Sequence, residues 1–187
     1  MSENGDVRKK LSFTVAADSD RLDFVSFHEG VNWDWPEKHR DGVKIEVRTP
    51  EIRGVGGTRL DVTHQWVRRN TVMTYVHLDE PIVRDDEFTF VVDIFWPAMC
   101  LPFVRGKRSD SFLASFAETA GVVEFRIVLP KRWVVRFDHL GLTPSRDDYV
   151  LTASVDREGR TVASLVVRDL PGYRKVGLKL DLPSVAA

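Results

Sequence analysis

His28, Glu29, Asp34, His39 and Asp41 fall within one short stretch of the chain, together with Trp33 and Trp35. Imidazole and carboxylate groups could ligate a divalent cation if the backbone folded them together. Their spacing matches no metal-site signature, so no metal is assigned. Two indoles beside acids also suit a sugar or a cationic ligand, through ring stacking or cation–π contact. The structural alternative is a surface loop whose tryptophans pin it to the edge of the fold. Trp33 and Trp35 are the first candidate contact residues, with His28, Glu29 and His39 around them.

His64 and His77 form a second group. They flank Arg69-Asn70, the centre of a predicted hairpin over residues 58–79. A two-residue turn there sets Trp66 opposite Met73, His64 opposite Tyr75 and Val62 opposite His77. That register gathers Leu60, Val62, His64, Trp66, Met73, Tyr75 and His77 on one face, the candidate core face. The two histidines then lie diagonally within reach of each other. None of Trp66, Tyr75 and Met73 is a usual zinc ligand. Hydrogen-bonded, half-buried histidines or a pH-responsive pair fit better. A ligand pocket lined by His64, Trp66, Tyr75 and His77 is the associated expectation.

Other reactive groups carry less. Cys100 sits in PAMCLPF, an apolar setting unlike the electropositive, accessible surroundings of a catalytic thiolate. It reads as a buried structural thiol. As the single cysteine it can form no internal disulfide. Asp93 and Glu124 fall on outward positions of different strands, so nothing pairs them for glycoside hydrolysis. The chain has no GxSxG elbow, P-loop, GxGxxG fingerprint or HExxH helix. No catalytic residue and no cofactor is assigned.

The elements that must position these groups are strands. Phe88, Phe90, Val92, Ile94 and Trp96 alternate with Glu87, Thr89 and Asp93. Val43, Ile45 and Val47 alternate with Lys44, Glu46 and Arg48 in the same way. A period of two means half-buried β-strands. Further strands are predicted around Leu11 to Val15, Leu22 to Phe27, Val122 to Leu129, Trp133 to Phe137, Tyr149 to Val155, Thr161 to Val167 and Lys175 to Asp181. Asp156-Arg157-Glu158-Gly159 is a predicted type I turn with Gly159 at positive φ. Within residues 98–121, Ser109 could cap a short helix, or Phe112, Ala114 and Phe116 could share a strand face; the strand is favoured. Residues 28–42, rich in Gly, Pro, Asp and Asn, are predicted as a loop.

The fold class this implies is an all-β, antiparallel two-sheet sandwich of about ten strands. Residues 1–8 are expected to be a flexible tail and residues 9–187 one domain. At 187 residues and 43% hydrophobic content there is enough apolar material for one sizeable core. Lysine plus arginine total 27 against 28 acids, which disfavours a phosphate-reading nucleic-acid binder. The basic clusters at 68–69, 105–108 and 131–132 read as solvated loops or as small anion or headgroup contacts. No run approaches the length of a membrane span, and with no apolar leader the expected location is the cytoplasm.

Three segments carry a resemblance: HLDEPIVRDDEFTFVVDIFWPAM, SDSFLASFAETAGVVEFRIVLPKRW and DLPGYRKVGLKLDL. An acid-and-proline step enters an aromatic strand, a second aromatic segment enters a strand ended by Leu129-Pro130, and a Pro-Gly-Tyr turn enters the last strand. Over roughly its last 110 residues the chain resembles uncharacterised bacterial β-sandwich domains found at the C-terminal end of regulatory or signalling proteins. This chain is expected to differ in lacking a DNA-binding or enzymatic domain ahead of its methionine. The resemblance implies a sensor or interaction module without catalytic residues. The expected function is therefore a non-catalytic protein-interaction or ligand-sensing module, its partner an unidentified protein or small ligand. The alternative is a small-molecule or carbohydrate binder, or a small enzyme, using the His64/His77 hairpin or the 28–42 loop.

Overall fold

β-branched and aromatic residues at every second position make most of this chain extended, because a pleated strand can bury one row of such side chains while the other row stays wet. The computed structural model describes all residues except 18–19, 107, 117–118, 132, 134 and 182–187. Lys107 and Arg132, members of two predicted basic clusters, lie outside the described residues. The chain is all-β with antiparallel sheets.

In chain order the first strands are β1 (Val7–Ala16), β2 (Leu22–Gly30), β3 (Lys44–Arg48), β4 (Glu51–Ile52), β5 (Val55–Gly56) and β6 (Arg59–Leu60). A hairpin of β7 (Val62–Arg68) and β8 (Thr71–Ile82) leads to β9 (Glu87–Trp96) and the short helix α1 (Leu101–Val104). The remainder is β10 (Asp110–Ala114), β11 (Ala120–Val128), β12 (Arg136–Leu140), β13 (Tyr149–Val155), β14 (Thr161–Leu170) and β15 (Val176–Asp181). The ladders run β1-β9-β3-β6, β2-β8-β7, β10-β15-β12, β11-β14-β13 and β4-β5. About ten strands in two sheets were expected; fifteen strands in five sheets are seen among the described residues. The excess lies partly in β4, β5 and β6, two-residue pairings in the Gly-rich stretch that alternation could not mark.

One apolar cluster draws on the four larger sheets. Phe90, Val92, Ile94 and Trp96 of β9 are buried at 2% exposure or less. Phe13 of β1 meets Phe90 beside it at 4.7 Å, and Phe27 of β2 at 5.8 Å. Val176, Leu178 and Leu180 of β15 are fully buried, as their alternation predicts. Residues 110–114 form a strand with Phe112 and Ala114 buried. Gly159 takes φ +74° at its predicted turn.

Two expectations fail. Residues 1–8 are docked, not loose: Asp6 Oδ1 accepts from the Ala98 amide at 2.8 Å, and the Cys100 amide donates to the Gly5 carbonyl at 2.8 Å. Gly5 (φ +81°) lies so close to Leu101 that an added Cβ would sit 2.5 Å from its amide nitrogen. Residue identity alone gave no sign of this packing, because the segment has no apolar alternation before Val7.

The second correction is register. Arg68 does pair with Thr71 across the Arg69-Asn70 turn, but a bulge between Trp66 and Arg68 sets Trp66 opposite Val72 and His64 opposite Thr74. One extra residue on one strand moves every later side chain of its partner to the other face. Val72, Thr74 and Val76 are therefore buried at 2% exposure or less, and Met73, Tyr75 and His77 point outward. The turn is held from outside: Arg40 donates to the Arg68 and Arg69 carbonyls, and Asn70 Nδ2 donates to those of Val31 and Trp33.

Candidate functional site

The residues singled out from sequence separate into three environments. The first is an indole cluster. His28 and Glu29 belong to β2, so the irregular segment starts later than predicted, and it folds back over the hairpin. Trp35 is fully buried and its Nε1 donates to the Pro97 carbonyl at 2.9 Å. Trp33, half-buried, donates to the Met99 carbonyl at 2.7 Å. Trp35 stacks on Trp66 at 6.0 Å with 21° between planes, and Trp96 lies 5.5 Å from Trp35. His39 lies 5.7 Å from Trp35, and the Arg40 guanidinium sits 4.8 Å from the Trp66 ring centre. Burial and satisfied N–H groups make Trp33 and Trp35 anchors of the loop and remove Trp35 as a contact residue. Isolated sequence could not decide this, because the acceptors are carbonyls more than sixty positions away.

The second environment is a buried polar group. Lys9 occupies an inward position of β1, and its Nζ meets Glu29 Oε2 at 2.6 Å, with side-chain exposures of 11% and 3%. The Phe112 ring lies 5.6 Å from the same ammonium. Nearby, Cys100 is fully buried; burial pushes its thiol well above the usual range, and the Asp110 carboxylate beside it, which it hydrogen-bonds, pushes it further. Burial likewise raises Asp110, against the stabilising bonds it accepts from Cys100, the Ser111 amide and Asn32 Nδ2. A thiol so placed stays protonated, the opposite of what a nucleophile needs. Among the described residues no three His, Cys, Asp or Glu side chains are arranged to hold a metal ion.

The third environment is the outer face of β2, β8 and β7. It takes His28, Tyr75 and His77 from the candidate list. His77 lies beside Phe24, Tyr75 between Ser26 and Thr63, and Met73 between His28 and Gln65. Thr63 Oγ1 and His77 Nε2 share a hydrogen bond of 2.8 Å. Phe24 is 49% exposed and stands edge-on to Tyr75 at 5.9 Å. With histidine neutral, none of these eight side chains is charged. The outer face of β1, β9 and β3 is different: Arg8, Lys10, Lys44, Glu46, Arg48 and Asp93 occupy it, with Arg48 Nε 3.2 Å from Asp93 Oδ2.

His64 is separated from His77 by the sheet itself. It shares the inner face with Trp66, and its Nδ1 lies 3.2 Å from Thr74 Oγ1; partial burial lowers its pKa. The predicted pocket lined by His64, Trp66, Tyr75 and His77 is thus not formed, because the bulge puts the members of each pair on opposite faces. Sequence reasoning missed Phe24. Its signal was present in the alternation of Phe24, Ser26 and His28 against Val25, Phe27 and Glu29, which leaves an aromatic residue on whichever face is wet. No protein-family model, curated protein or solved structure matches the chain.

Proposed function

We propose that this chain is a non-catalytic protein-interaction module of a bacterial cytoplasmic protein, built as a two-layer β-sandwich, and that it docks through the outer face of β2, β8 and β7. The observation that carries the reading is the composition of that face: Phe24 exposed, Tyr75 and Met73 partly so, with polar but uncharged neighbours. Interface cores are depleted of charge and enriched in aromatic residues and methionine relative to ordinary surface. The charge-rich outer face of β1, β9 and β3 supplies the contrast within the same molecule. The layered arrangement is supported by Phe13 and Phe27, which meet from different sheets.

The test is site-specific photocrosslinking in cells. A benzophenone amino acid at Tyr75 should give discrete protein adducts, and the same probe at Glu46 should not. Equal or absent adducts from the two positions would remove the face from consideration.

A further inference from the structure

We infer that β13 is an open sheet edge through which two copies of the chain join, pairing antiparallel with each other about a two-fold axis at Thr152. β13 is an end strand of its ladder and pairs with β14 alone. The Arg168 amide donates to the Asp148 carbonyl and the Asp156 amide to the Arg160 carbonyl, both at 2.9 Å. Those two bonds fix the phase of the strand. Even-numbered residues turn their backbone groups toward β14, and Tyr149, Leu151, Ala153 and Val155 turn theirs away. Among the described residues nothing bonds the amides and carbonyls of those four. β13 belongs to a different sheet from the face proposed above, so the two docking surfaces stand or fall separately.

Folded proteins normally defend a free edge with charge, proline or a bulge. Among the described residues every other end strand longer than two residues carries a charged side chain: Arg8 in β1, Asp23 in β2, Arg68 in β7, Asp110 in β10, Glu124 in β11 and Arg136 in β12. β13 reads YVLTASV, with no charge, proline or glycine, and its pairing with β14 has no bulge. It also leaves Val150 at 51% and Val155 at 70% exposure. The groups of such an edge repeat every second residue, so their complement is another extended backbone. Within this molecule the uncharged extended segment whose free groups match is β13 itself, in a second copy.

With Thr152 opposite its own copy, Tyr149 meets Val155 and Leu151 meets Ala153. These are hydrogen-bonding pairs, and together they engage every free amide and carbonyl of both edges. A slip of two residues in either direction strands Tyr149 or Val155 in each copy. In the favoured register Val155 gains Tyr149 as its cross-strand neighbour, Val150 lies beside Ser154, and the two threonines pair on the axis. Asp148 and Asp156 come opposite each other at the ends. Each is held by an arginine of its own copy, Arg168 at 3.6 Å and Arg160 at 2.8 Å. The contact is isologous, so it closes at two copies. Two strands about 23 Å long make a contact well below a standard stable interface, which predicts a weak, reversible dimer.

In sedimentation velocity between about 1 µM and about 1 mM, wild type should pass from monomer to dimer. Thr152→Lys opposes two ammonium groups at the axis and should weaken the dimer at least about threefold. Thr152→Cys reads the register. On the axis the two Cα atoms form a non-hydrogen-bonded pair about 4.5 Å apart, within disulfide reach. Diamide oxidation should therefore link that variant into covalent dimers. Ser154→Cys should stay unlinked, because its two copies lie about 14 Å apart along the strands. The native Cys100 is fully buried and adds no crosslink of its own. Thr152 and Ser154 are exposed, so melting temperatures equal to wild type will show that each variant is folded. Wild type that stays monomeric to about 1 mM overturns the inference. So does a dimer that Thr152→Lys leaves unchanged, or equal crosslinking of the two cysteine variants.

Discussion

Replacing Lys9 by methionine removes one half of the buried Lys9–Glu29 pair and leaves the Glu29 carboxylate, 3% exposed, with no cation beside it. Removing one partner of a buried ion pair usually costs roughly 3–5 kcal/mol, because the charge left behind has lost both water and its counter-ion. Urea unfolding of wild type and Lys9→Met at pH 7 measures this directly. The double variant Lys9→Met/Glu29→Leu should return to within about 1 kcal/mol of wild type, because an apolar pair of similar volume carries no desolvation cost. A Lys9→Met penalty under about 1 kcal/mol at pH 7 would refute the claim that this ion pair is desolvated.

Three further outcomes are expected. His64 has its pKa lowered by partial burial, so the unfolded chain binds the proton first and stability declines as pH falls through about 6.5; in melting curves, His64→Gln should reduce that decline, and an identical pH profile would count against it. Trp35→Ala should cost about 3–5 kcal/mol in chemical denaturation, since it empties a fully buried indole site and frees the loop over the hairpin. Cys100 should resist thiol reagents in the folded protein and react only as denaturant opens the core, because it is both buried and held protonated; rapid labelling under native conditions would contradict its placement.

Local alternation was sufficient for β15, where Val176, Leu178 and Leu180 form one row and Gly177, Lys179 and Asp181 the other, so only one face can go inside. It also located the turns at Arg69-Asn70 and at Gly159. It chose the wrong row of β8, because Val72 and Val76 on one row and Met73 and Tyr75 on the other are all apolar and the row with the larger side chains is not the buried one. There the choice fell to packing: burying the β-branched row with Trp66 required an extra residue in β7, and the Arg40 contacts to the turn carbonyls accompany it. The candidate site moved with that single residue. His77 and Tyr75 went out to join Phe24 and His28, and His64 and Trp66 stayed in. The inward Lys9, the docked residues 1–8 and the burial of Trp33 and Trp35 share one cause. Each depends on a partner distant in the chain, Glu29, Ala98, Cys100, Met99 or Pro97, whose approach is decided by how the sheets stack and which no local period encodes.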